Sequence, residues 1–146
     1  MNDKIFFDLD GTICGQEKWE NYIFNTFKLL YDFLYRPEPS NWSILTSRPI
    51  IDKPLIYLAC KKYKLYPSEI ITSDSIFYNF DNDYEIATWK SNVLFKKSMQ
   101  YVFADRIIYV DDSIDVRSKI MTNSRIITCS TSTLEKVLLE RKENGR

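Results

Sequence analysis

Two carboxylates, Asp8 and Asp10, leave the end of the apolar run Ile5-Phe6-Phe7 in the string Asp8-Leu9-Asp10-Gly11-Thr12. Side chains two positions apart on an extended chain point the same way, so the spacing predicts that these carboxylates converge. Like charges that close need a proton or a cation between them, which makes the pair a candidate metal site or shared-proton site. Gly11 then lets the chain turn sharply. Thr46, Lys90 and the pair Asp111-Asp112 are the further pieces. Asp-Gly is also an ordinary turn former, and Thr46 or Lys90 taken singly reads as a turn residue or a solvated lysine. The set, more than any member, implies chemistry. Histidine is absent, which removes the usual imidazole base and the commonest zinc ligand and leaves acid-base work to carboxylates.

The elements that must position these groups follow from periodicity. Apolar runs over residues 4–9, 42–45, 69–72, 106–110 and 125–128 read as strands. Helical spacing predicts helices over 17–35, 52–64, 87–101, 113–121 and 133–141, with Asp52 as a cap and Pro54 in a first turn. Residues 73–85 are polar and aromatic and read as a long loop. Strands that alternate with helices, and that are apolar throughout, predict an α/β fold with a parallel sheet covered on both faces. Ligands of such sheets bind beyond the carboxyl ends of the strands, where Asp8, Asp10, Thr46, Asp111 and Asp112 all fall.

A chain of 146 residues suits one domain with one core, read as a single unit over residues 1–146. Its 20 basic and 20 acidic side chains cancel, so no global field draws it to nucleic acid or membrane, and any such binding is local. Cys14, Cys60 and Cys129 form neither a paired disulfide framework nor a metal signature, which fits a reducing compartment. No apolar stretch approaches the ~20 residues of a membrane span. The first residues lack a signal pattern, so the expected location is cytoplasmic with no membrane partner.

Taken in order, Asp8-Leu9-Asp10-Gly11-Thr12, Thr46, Lys90 and Asp111-Asp112 resemble the four motifs of the haloacid dehalogenase (HAD) superfamily of phosphohydrolases over essentially the whole chain. The resemblance implies a HAD-like, Rossmann-like three-layer sandwich on a mainly parallel five-stranded sheet, and a magnesium-dependent phosphatase that works through an aspartyl-phosphate. Asp8 would be the nucleophile, and Asp10 the acid for the leaving oxygen and then the base for water. Thr46 would hydrogen-bond a phosphoryl oxygen, and Lys90, with Lys96 and Lys97 as alternatives on the same helix, would neutralise charge on Asp8 and the phosphoryl group. Mg2+ suits oxygen-only ligands and would be held by Asp8, the backbone carbonyl of Asp10 and Asp112, with Asp111 and Asp115 close behind. Asp111 stays open as a direct ligand, and a helix N-cap accounts for Asp112 as well. Gly11, Thr12, Ser47 and Arg48 complete the expected substrate-binding set, Arg48 being the residue type suited to bidentate phosphate contact. Ser47-Arg48 replaces the small-residue turn often seen in the superfamily, and Asp111 stands where many members have Gly.

Superfamily members often insert a cap domain after the first motif or between the second and third, and this chain has room for little or none. An open site favours a large phosphorylated substrate such as a nucleic-acid end or a protein side chain, with nucleotides also admitted. The acid pair without a cap is similar to the phosphatase domain of polynucleotide kinase-phosphatases, with no kinase phosphate loop present. Arg48, Lys53, Lys61, Lys62, Lys64, Lys96 and Lys97 are local basic groups, and Phe77, Tyr78 and Tyr84 are candidates to stack on a base or to fill a small core. A receiver module would place its acid pair after the first strand, the reverse of the order here. A non-catalytic HAD-like binding domain and a phosphotransferase are the remaining alternatives.

Overall fold

The computed structural model describes residues 3–13, 42–62 and 64–144, and the helix expected over 17–35 lies outside them. Strand β1 (Asp3–Phe7) is followed by β2 (Trp42–Pro49), a 3-10 turn (Ile50–Asp52), α1 (Lys53–Lys62) and β3 (Ile70–Ser73). Then come α2 (Asp83–Gln100), β4 (Arg106–Val110), the single-turn α3 (Ile114–Arg117), β5 (Ile126–Cys129) and α4 (Thr131–Asn144). The sheet has five strands, all parallel, in the order β3-β2-β1-β4-β5. This is the α/β, parallel-sheet architecture that the alternation of elements predicts, and it matches a Rossmann-like sandwich.

Alternation along each strand feeds two cores. Ile5, Phe7, Ile44, Ile108 and Val110 pack with Ile56 and Cys60 of α1 and Leu134 of α4 on one face. Phe6, Leu45, Ile107 and Tyr109 pack with Ala87 and Leu94 of α2 and with Val116 on the other. Burial on both faces is why the strands read as unbroken apolar runs. Each fully buried Ile, Leu or Phe contributes about 1.5–3 kcal/mol relative to exposure. Among the described residues no helix is long and apolar enough to cross a membrane.

Boundaries differ from expectation where turn-forming residues were taken into regular elements. Strand β2 runs on past residue 45 to Pro49, but its register with β3 shifts between Leu45 and Pro49, so Thr46, Ser47 and Arg48 form a bulged stretch that re-aims side chains. Asp52 is the last residue of the 3-10 turn, directly before α1, and its carboxylate accepts from Arg48 Nη1 at 3.3 Å. Lys64 ends α1 at φ 57, with its N–H on the Lys61 carbonyl and the Leu65 N–H on the Cys60 carbonyl, the Schellman arrangement. Helix α2 begins at Asp83, ahead of the expected residue 87, because Asn82 accepts the Glu85 N–H at 2.9 Å while the Glu85 carboxylate accepts the Asp81 N–H at 2.6 Å. The expected loop is therefore shorter at its far end. Helix α3 is shorter than expected, and α4 longer at both ends.

The strand order decides where a site can form. From the adjacent pair β1 and β4 the chain fans outward in opposite directions, which opens a crevice beyond their carboxyl ends.

Candidate active site

Asp8 and Asp111 each extend the ladder one residue past their strands. The Asp8 N–H donates to the Val110 carbonyl at 2.9 Å, and the Asp111 N–H to the Cys129 carbonyl at 3.0 Å. Alternation then places Asp8 on the Phe6 side and Asp111 on the Tyr109 side, the single face that α2 covers. On α2 the buried residues are Ala87, Lys90, Ser91, Leu94 and Ser98, a stripe at helical spacing, so Lys90 points at the sheet from within it. Its Nζ lies 2.8 Å from Asp8 Oδ1 and 3.8 Å from Asp111 Oδ2, and the residue is only 2% exposed. The ammonium also donates to the Tyr109 hydroxyl, which in turn donates to Asp111 Oδ2 at 2.7 Å. Asp111 Oδ1 accepts the Ser113 N–H at 2.8 Å, so both its oxygens are engaged internally.

After Asp8 the chain turns. The Leu9 carbonyl accepts from the N–H groups of Thr12 and Ile13, and Gly11 sits at φ 79, where a Cβ would be strained. Beyond this turn Asp8 and Asp10 pair with different basic side chains, Lys90 and Arg48. Arg48 grips Asp10 in a two-pronged pair, Nε to Oδ2 and Nη2 to Oδ1, both at 2.8 Å. Thr12 ties the first motif to the last: its hydroxyl donates to Asp8 Oδ2 at 3.4 Å and accepts the Asp112 N–H at 3.2 Å.

The remaining expected residues are placed as follows. Thr46 is buried and its Oγ1 accepts the Arg48 N–H at 3.2 Å, with Ser47 half-buried beside it. Asp112 is exposed and caps α4 by accepting from the N–H and hydroxyl of Thr131 at 2.8 and 2.9 Å. The cap of α3 is Ser113, whose Oγ accepts the Val116 N–H. Asp115 is exposed on α3. Lys90 is the α2 lysine that reaches the acid pair, whereas Lys97 binds Glu69 at 2.8 Å and Lys96 is exposed.

Charge and burial act together here. Burial pushes the Asp8 carboxyl up to about 7; the Lys90 charge opposes this, and the nearby charges of Asp111 and Asp10 add to it. Burial raises the Tyr109 phenol well above its ordinary value, reinforced by the charges of Asp8 and Asp111. For Arg48 burial acts to lower the value, but Asp10 and then Asp52 outweigh it, so the guanidinium is held more firmly charged. Cys60 and Cys129 are buried free thiols pushed up to about 11, which makes them packing residues and not nucleophiles.

Among the described residues no three Asp, Glu, Cys or His side chains converge as a closed metal cage. The donor chemistry nonetheless fits magnesium, which is commonly held by one or two carboxylates, with water and substrate oxygens completing the shell. Asp8 is a carboxylate among like charges, which a cation relieves, and Asp112 is an exposed carboxylate tied to the same turn through Thr12. An apolar groove of about 830 Å3 lies between α1 and β3, lined by Ile50, Tyr57, Leu58 and Tyr66 among others, and holds none of these residues.

Tyr109 is the site residue that sequence reasoning passed over as part of an apolar strand. Its signal was present: a phenol in the run Ile107-Ile108-Tyr109-Val110, two residues before Asp111 and so on the same face. The pairing of Arg48 with Asp10 carried no local signal. No protein-family model matches the chain, and no curated protein or solved structure matches it either.

Proposed function

We propose that the chain is a magnesium-dependent phosphomonoesterase of the HAD type that works through an aspartyl-phosphate on Asp8. The observation that carries this reading is the buried Lys90 ammonium 2.8 Å from Asp8 at the carboxyl end of β1. A carboxylate so held is desolvated, aimed and paired with a cation, the conditions under which it can attack an anionic phosphoryl group.

An Asp8 oxygen forms the bond to phosphorus as the bond to the leaving oxygen breaks. Asp10 protonates that oxygen, then takes a proton from the water that hydrolyses the acyl phosphate. For this Arg48 has to yield one of the two Asp10 oxygens it grips. The Thr46 hydroxyl hydrogen and the backbone N–H groups of the turn after Asp8 serve the phosphoryl oxygens. Asp8, the Asp10 carbonyl and Asp112 are the groups to hold magnesium, which when bound offsets the charge of phosphoryl group and carboxylate. Asp112 is preferred to Asp111 because its carboxylate is exposed and bonded to Thr131 at the surface, whereas Asp111 is buried and bonded to Tyr109 and Ser113 inside the fold.

The segment that leaves the carboxyl end of β3, the end of the sheet at which Asp8 sits, is the rim that bears on substrate class. Ile76, Phe77 and Tyr78 are exposed between β3 and α2, and Tyr84 is exposed in the first turn of α2. Asp74, Asp81, Asp83 and Glu85 lie along the same stretch, with no Lys or Arg between Leu65 and Trp89. A nucleic-acid strand laid across this rim meets like charge, whereas a single terminal phosphate does not, so a nucleotide or a nucleic-acid end is the fitting class. One observation favours a non-catalytic binding domain instead: both Asp10 oxygens are held by Arg48.

The deciding experiment is phosphate release from p-nitrophenyl phosphate, nucleoside monophosphates, 3′- and 5′-phosphorylated oligonucleotides and phosphopeptides, with magnesium or chelator, beside Asp8→Asn. Magnesium-dependent release lost in the variant supports the reading. No release from any substrate favours the binding domain.

A further inference from the structure

We propose that Tyr109 is a positioning residue that reserves the Lys90 ammonium for Asp8. Lys90 faces two carboxylates, Asp8 at 2.8 Å and Asp111 at 3.8 Å, and a buried ammonium between two acids can settle on either. The Tyr109 hydroxyl occupies the Asp111 side. It accepts from Lys90 and donates to Asp111 Oδ2, so it bridges the ammonium and the second carboxylate and engages both from one side. The Lys90 Nζ also stands 5.0 Å from the centre of the Tyr109 ring, which confines it further. The direction of donation matters: because the phenolic hydrogen is committed to Asp111, the phenolic oxygen presents a lone pair to Lys90 and not a competing donor.

A phenylalanine in this place keeps the ring and removes the bridge. Asp111 then loses a donor, and the ammonium is drawn the short way toward it and away from Asp8. The kinetic side of this inference rests on the reading of Asp8 as nucleophile; the placement of Lys90 does not.

The test is Tyr109→Phe with two readouts. The 15Nζ resonance of Lys90, assigned by its loss in Lys90→Met, reports where the ammonium sits, and kcat and KM report turnover. We expect a shifted or exchange-broadened Lys90 resonance. We also expect kcat to fall ~10- to 100-fold, the usual consequence of removing an outer partner of a site group, while KM changes less than about two-fold. An unmoved resonance, or kcat within about two-fold of the wild type in an active enzyme, overturns the inference. If no substrate is found at all, the resonance decides alone. If the variant does not fold, the wild-type protein answers: a cross-relaxation contact between the Tyr109 hydroxyl proton and the Lys90 Nζ protons supports the bridge, and its absence overturns it.

Discussion

Lys90→Met removes the buried cation while keeping the length of the side chain. It leaves Asp8 and Asp111, 9% and 2% exposed, without the ammonium that lies 2.8 Å from one and 3.8 Å from the other. Removing one member of a buried ion pair costs ~3–5 kcal/mol, because the partner stays desolvated and unpaired. That is a large part of the ~5–15 kcal/mol that holds a domain together. With a urea m-value of roughly 1–3 kcal/mol/M, the unfolding midpoint falls by ~2 M. The loss depends on pH, and its sign follows from Asp8. Burial pushes this carboxyl from its ordinary 3.8 up to about 7, with Lys90 the strongest influence holding it down. A carboxyl raised in the folded state contributes stability that is complete below its unfolded value and is lost as pH rises through its folded value. Without Lys90 the folded value climbs further, so in the variant the loss continues to higher pH. Wild type and variant therefore differ least near about pH 4 and most near about pH 8. Urea titrations of both proteins in chelator across that range measure the gap. A gap below ~1 kcal/mol at the upper end, the size of an exposed ion pair, refutes the reasoning, as does one that is flat with pH.

Asp8→Asn keeps its circular dichroism spectrum and loses at least ~10³-fold in turnover; a variant that still works removes Asp8 as nucleophile. Because burial holds Asp8 up to about 7 without metal, kcat/KM at limiting magnesium climbs with pH through neutrality, since only the ionised form attacks. Saturating magnesium moves that limb to lower pH, and a limb that stays in place contradicts a metal at Asp8. Arg48→Lys keeps the charge but loses the two-pronged grip on Asp10. With side chains 23% and 34% exposed, the pair's loss changes the urea midpoint by less than ~1 kcal/mol equivalent. The same change lowers kcat by ~10-fold or more, and an unchanged rate counts against a role for the clasp in turnover. Gly11→Ala forces a Cβ into φ 79 and lowers thermal stability by ~1–2 kcal/mol, read from the unfolding midpoint.

The Arg48 clasp divides what the two acids of the first motif can do. Asp8 faces inward to Lys90 and Tyr109, while Asp10, with a side chain 34% exposed, faces Arg48 at the mouth. Two acids in such different surroundings suit two roles, one fixed and one released during reaction.

The chain's local periodicities were enough to establish the parallel α/β class, the five strands, the helices on both faces and the strand-end position of Asp8 and Asp111. Each of these is set by residues a few positions apart: alternation in a strand, helical spacing on α2, a turn-permitting Gly11. Boundaries failed where one residue type serves two local states, as with Thr46-Ser47-Arg48-Pro49, which reads as a turn and is the bulged end of β2. Which atoms pair across the fold was decided by tertiary structure, although the motif resemblance had already implied that Lys90 serves Asp8. That Lys90 meets Asp8 across 82 positions, that Arg48 meets Asp10 across 38, and that Asp112 caps α4 at Thr131 all depend on the order β3-β2-β1-β4-β5. The physical reason is that a buried charge is worth forming only when the whole fold delivers its partner. That delivery comes from the packing of α2 on the Phe6 and Tyr109 face, and no short stretch of chain encodes it.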